Sequence, residues 1–273
     1  MKNDYTVIMS IYDKVLPEYL TVSINSVLNQ TLLPKTFILV KDGPLTEEQE
    51  KVINYIYESN KKLFKIIEFK QNRGCGPVYN DALSYCKTEY AMIMDSDDYI
   101  IPEKNEKQLN YLLEHQECDM VGSSVYEFLG DISNIISFRK MPCSNEEIHK
   151  FAHKRCPMAQ PTVMFKVKSV IDVGSYQKSQ LTEDYDLYIR MILNKCKFYN
   201  FSEALTYMRV NEDFYARRGG IKYLKPILGF KYKWYKRGFL TFKEFIITGG
   251  SSLVVSLMPN KLRTFVYKKL LRK

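Results

Sequence analysis

The sequence predicts an α/β protein built on a parallel sheet with helices on both faces. Three observations carry that expectation. Over the first hundred residues, β-rich runs alternate with helical periodicities across short connections. The run Ala91-Met92-Ile93-Met94 is apolar at every position, as in a strand covered on both faces. That run ends abruptly in Asp95-Ser96-Asp97-Asp98, which delivers carboxylates beyond the carboxyl end of a strand, where open α/β sheets keep their ligands.

Taken in order, Tyr5–Ser10 is the first strand. Ile11-Tyr12-Asp13-Lys14 turns the chain into a helix from Pro17 to Asn29, with Leu20, Ile24, Val27 and Leu28 at apolar spacing. Thr36–Val40 is the second strand and closes on Lys41-Asp42-Gly43-Pro44, after which Thr46 caps a helix rich in Glu and Gln. Phe64–Phe69 is the third strand. The loop Asn72–Pro77 follows it, then a helix through Tyr79, Leu83 and Cys86 that leads into the fourth strand. Beyond Pro102 a helix is expected to about His115, and there the regular alternation breaks. Asp119–Phe128 and Ile132–Arg139 read as strands joined at Gly130-Asp131, Asn145–His153 as a polar helix, Pro161–Lys166 as a strand and Val170–Val173 as a short helix. Thr182 stands where it would cap a helix with a stripe of Tyr185, Tyr188, Ile189, Ile192 and Leu193. Phe198–Phe201 and Leu205–Val210 read as extended.

A chain of 273 residues with 45% hydrophobic content can bury a full core without disulfide or metal staples. Its six cysteines are scattered, with no C-x-x-C pair or zinc spacing. Together with a start that runs straight into a strand, they predict free thiols in the reducing cytosol. The net charge of +9 is uneven: from Arg217 onward fifteen Lys/Arg face Glu244 alone, leaving the first 216 residues at −5. A mildly acidic body with a strongly basic tail points to an anionic partner for the tail.

Three carboxylates at one sheet edge repel unless a cation neutralises them, and hard oxygen ligands suit Mg²⁺ or Mn²⁺. Since Mg²⁺ commonly binds through one or two carboxylates plus substrate phosphates, a metal-bound phosphate ester is implied. The competing reading is an acidic turn with Asp97 or Asp98 as N-cap. Asp42 is either an acceptor for a base N–H or ribose hydroxyl, or a turn residue before Gly43-Pro44. The Gly74/Gly76 loop, with Arg73 beside it, could offer backbone N–H groups to a diphosphate at a helix N-terminus. Glu183 and Asp184 fall in a first helical turn, where the dipole favours their ionised forms. Arg209, Arg217 and Arg218 could clamp a diphosphate or an acceptor phosphate; a solvated basic turn is the alternative for Arg217-Arg218. His115, His149 and His153 lack metal-ligand spacing and read as surface or partly buried residues.

Six ordered motifs together resemble family-two glycosyltransferases, and most closely the bacterial branch that builds exopolysaccharides, capsules and O-antigens. They are Val7-Ile8-Met9-Ser10-Ile11-Tyr12, Val27-Leu28-Asn29-Gln30-Thr31, Lys41-Asp42-Gly43-Pro44, Asn72-Arg73-Gly74, Asp95-Ser96-Asp97-Asp98 and Glu183-Asp184-Tyr185-Asp186-Leu187. The resemblance implies a GT-A fold, Rossmann-like with a mixed central sheet, and a UDP-sugar donor. Residues 1–216 would form the transferase domain, with the nucleotide-sugar half at about 1–100 and the acceptor half at about 101–216. Residues 217–273 would be a helical basic extension. By position, Ser10 and Tyr12 would line the base pocket, Asp42 would bind uracil or ribose, and Arg73 would approach the nucleotide or diphosphate. Asp95 and Ser96 would lie on the ribose and sugar side, Asp97 would ligate Mn²⁺ or Mg²⁺, and Asp184 would act as general base in a single inverting displacement. Two departures stand out: Lys41-Asp42 replaces the usual paired acids, and Asp13 stands where Asn is common.

Phe245–Met258 is apolar but interrupted by Gly249-Gly250-Ser251-Ser252, and shorter than the roughly 20 residues a spanning helix needs. After Pro259, Leu262, Phe265, Val266 and Leu270 mark one helical face, and Lys261, Lys268 and Arg272 the other. Such a helix would lie on anionic lipid at the inner membrane surface, making the enzyme cytoplasmic and peripheral and bringing it to an oligosaccharide acceptor on a lipid diphosphate. Packing against the body is the alternative. No nucleic-acid-reading module is present. The rival functions are a nucleotidyltransferase, which usually carries a Gly/Arg-rich loop after its first strand, and a non-catalytic nucleotide-sugar-binding subunit.

Overall fold

The computed structural model describes residues 4–179, 181–211 and 216–267. Its first half follows the expected alternation: β1 (Tyr5–Ile11), α1 (Pro17–Leu28), β2 (Thr36–Asp42), α2 (Glu47–Asn60), β3 (Phe64–Phe69), α3 (Cys75–Ser84) and β4 (Tyr90–Asp95). All four strands are parallel, in the order β3-β2-β1-β4. Because strand side chains alternate in direction, each strand feeds two cores. Val7, Met9, Phe37, Leu39, Met92 and Met94 join α1, α2 and the helix after Pro102 on one face, while Ile8, Ile38, Val40, Ala91 and Ile93 meet α3 on the other. Thr46 caps α2 in a reciprocal box with Gln49.

The pairing register decides where function can sit. Ser10 is opposite both Val40 and Asp95, and Ile11 opposite Lys41. The carboxyl ends of β1, β2 and β4 are therefore level, so the Tyr12 turn, Asp42 and Asp95 emerge along one edge.

After β4 come β5 (Tyr99–Ile100), α4 (Lys104–Glu114), β6 (Met120–Leu129), β7 (Ile135–Arg139), α5 (Asn145–Ala152), β8 (Met164–Lys166), α6 (Val167–Asp172), α7 (Glu183–Leu193) and β9 (Phe198–Val210). The sheet continues β4-β8-β6-β9-β5, with β8 antiparallel to both neighbours, β6 and β9 parallel, and β7 hairpinned onto β6. Several expectations shift here. Gln160–Thr162 forms a 3₁₀ turn, shortening the strand expected from Pro161. The two extended runs after Phe198 are one strand, accommodated by register shifts around Ser124. In α7 the buried face is Leu187, Tyr188, Ile189 and Met191, while Leu193 is exposed.

Three further helices close the chain: α8 (Ile221–Lys236), α9 (Phe242–Leu257) and α10 (Asn260–Val266). Phe230, Trp234, Phe239 and Leu240 share a small core with Ala152 and Ile189, so α8 is packed onto α5 and α7. Asp186 anchors that contact: fully buried, it pairs with Arg190 (3.0 Å) and Lys233 and accepts from Trp234 Nε1 (3.1 Å). The Gly249–Ser252 run that interrupts the apolar stretch lies inside α9. The helix runs through Gly249 and Gly250 from a Thr241/Glu244 capping box, and the Ser251 and Ser252 hydroxyls donate back to the Thr248 carbonyl. On α10, Arg263 is buried and donates to the carbonyls of Ser256, Met258 and Ala216, while Leu262 and Phe265 face outward. The expected face residues Leu270, Lys268 and Arg272 lie outside the described residues. Among the described residues, no helix is long and apolar enough to cross a membrane.

Candidate active site

The strand-end edge carries most of the residues singled out by sequence. Ser10, next to last in β1, pairs with Asp95, and Tyr12 stands in the following turn. The Tyr12 hydroxyl is pushed up by burial and then by the charge of Asp97. Asp42 is buried, and its two oxygens accept the backbone N–H groups of Arg73 (2.7 Å) and Gly74 (3.0 Å). It thus ties the Asn72–Pro77 loop to the end of β2. Gly43 permits that approach: at φ +97°, a Cβ there would lie 2.9 Å from the Asn72 nitrogen. Arg73 itself pairs with Asp81 and lies over the Phe69 ring at 4.5 Å. Lys41, which replaces an acid, leaves the edge and is held by Glu50 and Glu68, both at 2.7 Å.

The acidic run after β4 divides in two. Asp95 and Asp97 remain at the edge, and both carboxyls are pushed up, chiefly by loss of water; in Asp95 the charge of Asp97 adds to it. Asp98, expected at the rim, is instead buried. One of its oxygens accepts the Arg209 backbone N–H at 2.8 Å. Burial and the charges of Asp97 and Asp95 hold the Asp98 carboxyl well above the usual range. Arg209 completes this clasp: its guanidinium donates to the Asp97 carbonyl (2.9 Å) and the Gly130 carbonyl, and lies over the Tyr19 ring at 3.8 Å. Ser96 is buried between the two acids. Arg217 lies near enough for its charge to oppose the rise at both Asp97 and Tyr12.

The opposite wall comes from α7. Thr182 is its N-cap residue, but the Thr182 hydroxyl pairs with Ser179 at 2.6 Å rather than with the helix backbone. Asp184 accepts the Tyr185 N–H (2.7 Å) and the Cys156 thiol (3.6 Å). The expectation that the helix terminus dominates here is overturned. Burial outweighs those hydrogen bonds and the nearby Arg139 charge, and the Asp184 carboxyl is pushed up. A raised carboxyl is the stronger base.

The two walls meet in one cleft. The Asp184 and Asp95 charges both act on Tyr176, whose ring packs on Tyr79 at 5.3 Å, and the Tyr79 hydroxyl reaches Asp95 at 3.4 Å. The Cys75 thiol is pushed up by desolvation and then by Asp95, Glu183, Asp42 and Asp184, so four acids converge on it. Gly76 makes the closure possible, since a Cβ there would stand 3.0 Å from the Gln177 carbonyl and 3.1 Å from Glu183 Cγ. Tyr79, Tyr176, Cys75 and Cys156 were not found from sequence: tyrosines at helical spacing read as core, and unpaired cysteines carry no motif. All six cysteines are free, as expected. The three histidines make aromatic contacts with Tyr111, Phe198 and Phe239, and His153 also meets Glu244 at 3.2 Å.

Among the described residues, no group of three or more His, Cys, Asp or Glu is arranged to hold a metal alone. A divalent ion that takes one or two carboxylates and completes its shell with phosphate oxygens needs no such group. The crowding of Asp95 and Asp97 is what such an ion relieves, so these residues fit it.

The sequence profile of the family described as "Glycosyl transferase family 2" matches residues 6–176. The chain belongs to that family. It is a glycosyltransferase with the GT-A fold. A UDP-Gal:alpha-D-GlcNAc-diphosphoundecaprenol beta-1,3-galactosyltransferase of Escherichia coli is 30% identical over 98% of this chain and 97% of its own. The amylovoran biosynthesis glycosyltransferase AmsE of Erwinia amylovora is 32% identical over 97% and 98%. Among solved structures, the mannosyltransferase PcManGT of Pyrobaculum calidifontis, in complex with GDP-Man and Mn²⁺, superposes with a TM-score of 0.66 at 12% identity, over 96% of this chain and 79% of that one. S. aureus TarS 1–349 in complex with UDP gives 0.60 at 19% identity, over 97% and 87%. These two likenesses concern the fold.

Proposed function

We propose that this glycosyltransferase moves one sugar, with inversion at the anomeric carbon, from a UDP-sugar to a lipid-linked oligosaccharide acceptor in bacterial surface polysaccharide synthesis. The observation that carries the reading is the convergence of the Asp95/Asp97 edge and Asp184 on one cleft. Relatives named for UDP-Gal, a diphosphoundecaprenol acceptor and amylovoran support the choice of donor, acceptor and pathway.

In this reading Ser10, Tyr12 and Asp42 hold the uridine. Each Asp42 oxygen spends one lone pair on the Arg73–Gly74 backbone and keeps another for the nucleotide. Asp95 and Ser96 lie on the ribose and sugar side, and Asp97 would hold Mn²⁺ or Mg²⁺. When bound, that ion offsets the charge developing on the leaving group. Arg217 faces the same side, while Arg209 keeps the Asp97–Asp98 turn in place through its backbone contacts. Asp184 accepts the proton of the acceptor hydroxyl as its oxygen attacks the anomeric carbon from the face opposite the nucleotide. The bond from that carbon to the diphosphate breaks, and UDP departs. Glu183, whose carboxyl is also pushed up by burial, borders the acceptor side.

The C-terminal helices form the membrane-facing side, peripheral and cytoplasmic. Phe242, Ile246, Leu253 and Leu257 recur along one exposed face of α9, and Leu262 and Phe265 extend it on α10. A thermal-shift panel of nucleotide-sugars with Mn²⁺ tests the donor assignment. A ligand that binds only the folded chain adds about 2.7 kcal/mol at a hundred times its dissociation constant. A UDP-sugar should raise the melting point; a GDP- or TDP-sugar raising it more would reassign the donor.

A further inference from the structure

Next to Asp184, and lined by none of the strand-end residues, lies a cavity of about 310 Å³ roofed by α8 and α9, with Tyr267 just after α10 at its edge. Five of its lining residues are cations: Arg139, Lys154, Arg155, Arg218 and Lys231; none is acidic. The other side of its wall is apolar and aromatic, with Tyr223, Ile227, Phe230, Val255 and Tyr267. Folding gathers these charges against their mutual repulsion. Burial depresses the Lys231 ammonium to about 8, and burial, with the charges of Arg155 and Arg218, lowers Arg139. Lys231 is 8% exposed and lies on the same helical turn as Trp234. Arg218 lies over the Tyr267 ring at 5.3 Å. Cations gathered at such a cost, beside an apolar wall, suit an anion that carries hydrocarbon.

Position narrows the class. Thr182, Tyr185 and Cys156 line the cavity, and the Cys156 thiol is also the group that donates to Asp184. One side chain therefore separates the cation cluster from the acid that faces the donor edge. The two adjacent arginines split accordingly: the Arg217 charge is felt by Asp97 and Tyr12, whereas Arg218 belongs to this cavity. The small residues of α9 make the room, because Ser251 and Ser252 line the cavity where larger side chains would fill it. Toward the outside, the exposed apolar faces of α9 and α10 continue the same roof.

We propose that this cavity binds the diphosphate of a prenyl-diphosphate-linked acceptor, separately from the nucleotide diphosphate, with its hydrocarbon leaving along α9 and α10. This rests on the lipid-linked acceptor proposed above. The Cys156 thiol that joins this cavity to Asp184 suits a short acceptor whose attacking hydroxyl lies close to that diphosphate.

The test is calorimetric titration of farnesyl diphosphate, inorganic diphosphate and UDP with Mn²⁺ into the wild-type chain, Lys231→Met and Ser252→Phe. Lys231→Met removes a charge, while Ser252→Phe fills the cavity and leaves every cation in place, so a folding defect in one variant leaves the other informative. Farnesyl diphosphate should bind the wild type, compete with inorganic diphosphate, and weaken about tenfold or more in both variants. UDP affinity should stay within twofold. Farnesyl diphosphate affinity unchanged from the wild type in both variants overturns the cavity assignment and leaves the lipid-acceptor reading standing. A wild-type chain that binds UDP but not farnesyl diphosphate overturns both while sparing the donor reading. Capture by phosphatidylglycerol vesicles that is lost in the variants while farnesyl diphosphate binding is unchanged would assign the cations to a phospholipid headgroup instead, and also overturns the proposal.

Discussion

Asp184 stands between two regions of opposite character. On one side the ends of β1, β2 and β4 gather Asp42, Asp95 and Asp97; on the other, α8 and α9 close over five cations. Both regions hold like charges together against repulsion and desolvation, and each makes physical sense through a counter-charged ligand. They differ in construction. The acidic edge is fixed by a sheet register that levels three strand ends. The basic cavity depends on side chains from β7, the segment after α5, the start of α7, the turn at Arg218, and α8 and α9. The contrast teaches that the acidic edge is set by backbone pairing, and the basic cavity by helix packing.

The largest effect expected concerns the residue between them. Asp184→Asn should lower turnover by about 10²–10⁴ while leaving UDP affinity unchanged, as read by UDP release and by titration. Loss of UDP affinity with unaltered turnover would move Asp184 from the chemistry to the acidic edge. Next comes the joint that holds the basic side in place. Asp186→Asn leaves Arg190 and Lys233 without their carboxylate and should cost about 3 kcal/mol by denaturant unfolding. A cost below about 1 kcal/mol would mean that apolar packing of Trp234 and Phe230 suffices.

The smallest effect sharpens the comparison from outside both regions. Lys104 is fully buried in the sheet core, where its ammonium approaches the Met92 sulfur at 3.9 Å, and burial lowers its pKa from 10.5 to about 7. Below pH 7 the folded and unfolded chains both carry this proton, so folding meets the full cost of burying the charge. From there to about pH 10 the unfolded chain keeps the proton that the folded chain has released, so stability rises with pH. Lys104→Met should be about 1–2 kcal/mol more stable at pH 6. The advantage should shrink across pH 7 to 10 in paired melts, and an advantage independent of pH would show that Lys104 keeps its proton in the folded chain as it does in the unfolded one.

The same contrast explains what could be read from the chain. The strands from Tyr5 to Asp95 are short runs rich in β-formers ended by turn residues, so both their existence and their shared edge were legible. The Asp98 carboxyl was misplaced because its burial depends on Arg209, 111 residues away. Asp184 was legible as a first-turn acid, but its raised pKa was not, because desolvation comes from side chains such as Cys156 and Tyr185 that no spacing rule joins. The Gly249–Ser252 run was legible only as a gap in the apolar stretch; a capping box and α8 at its side keep the helix continuous through it. Of the basic cavity only Arg218 was singled out from the sequence, as a possible clamp for a diphosphate or an acceptor phosphate; Arg139, the Lys154-Arg155 pair and Lys231 are far apart in the chain, and only the last helices bring them together.

The most direct measurement is titration of UDP into the wild-type chain and Asp97→Asn, each with Mn²⁺ and with a chelator. If the acidic edge grips the donor through a cation, the wild type binds UDP only when metal is present, and Asp97→Asn loses that metal-dependent affinity. Equal UDP affinity in all four titrations would contradict it.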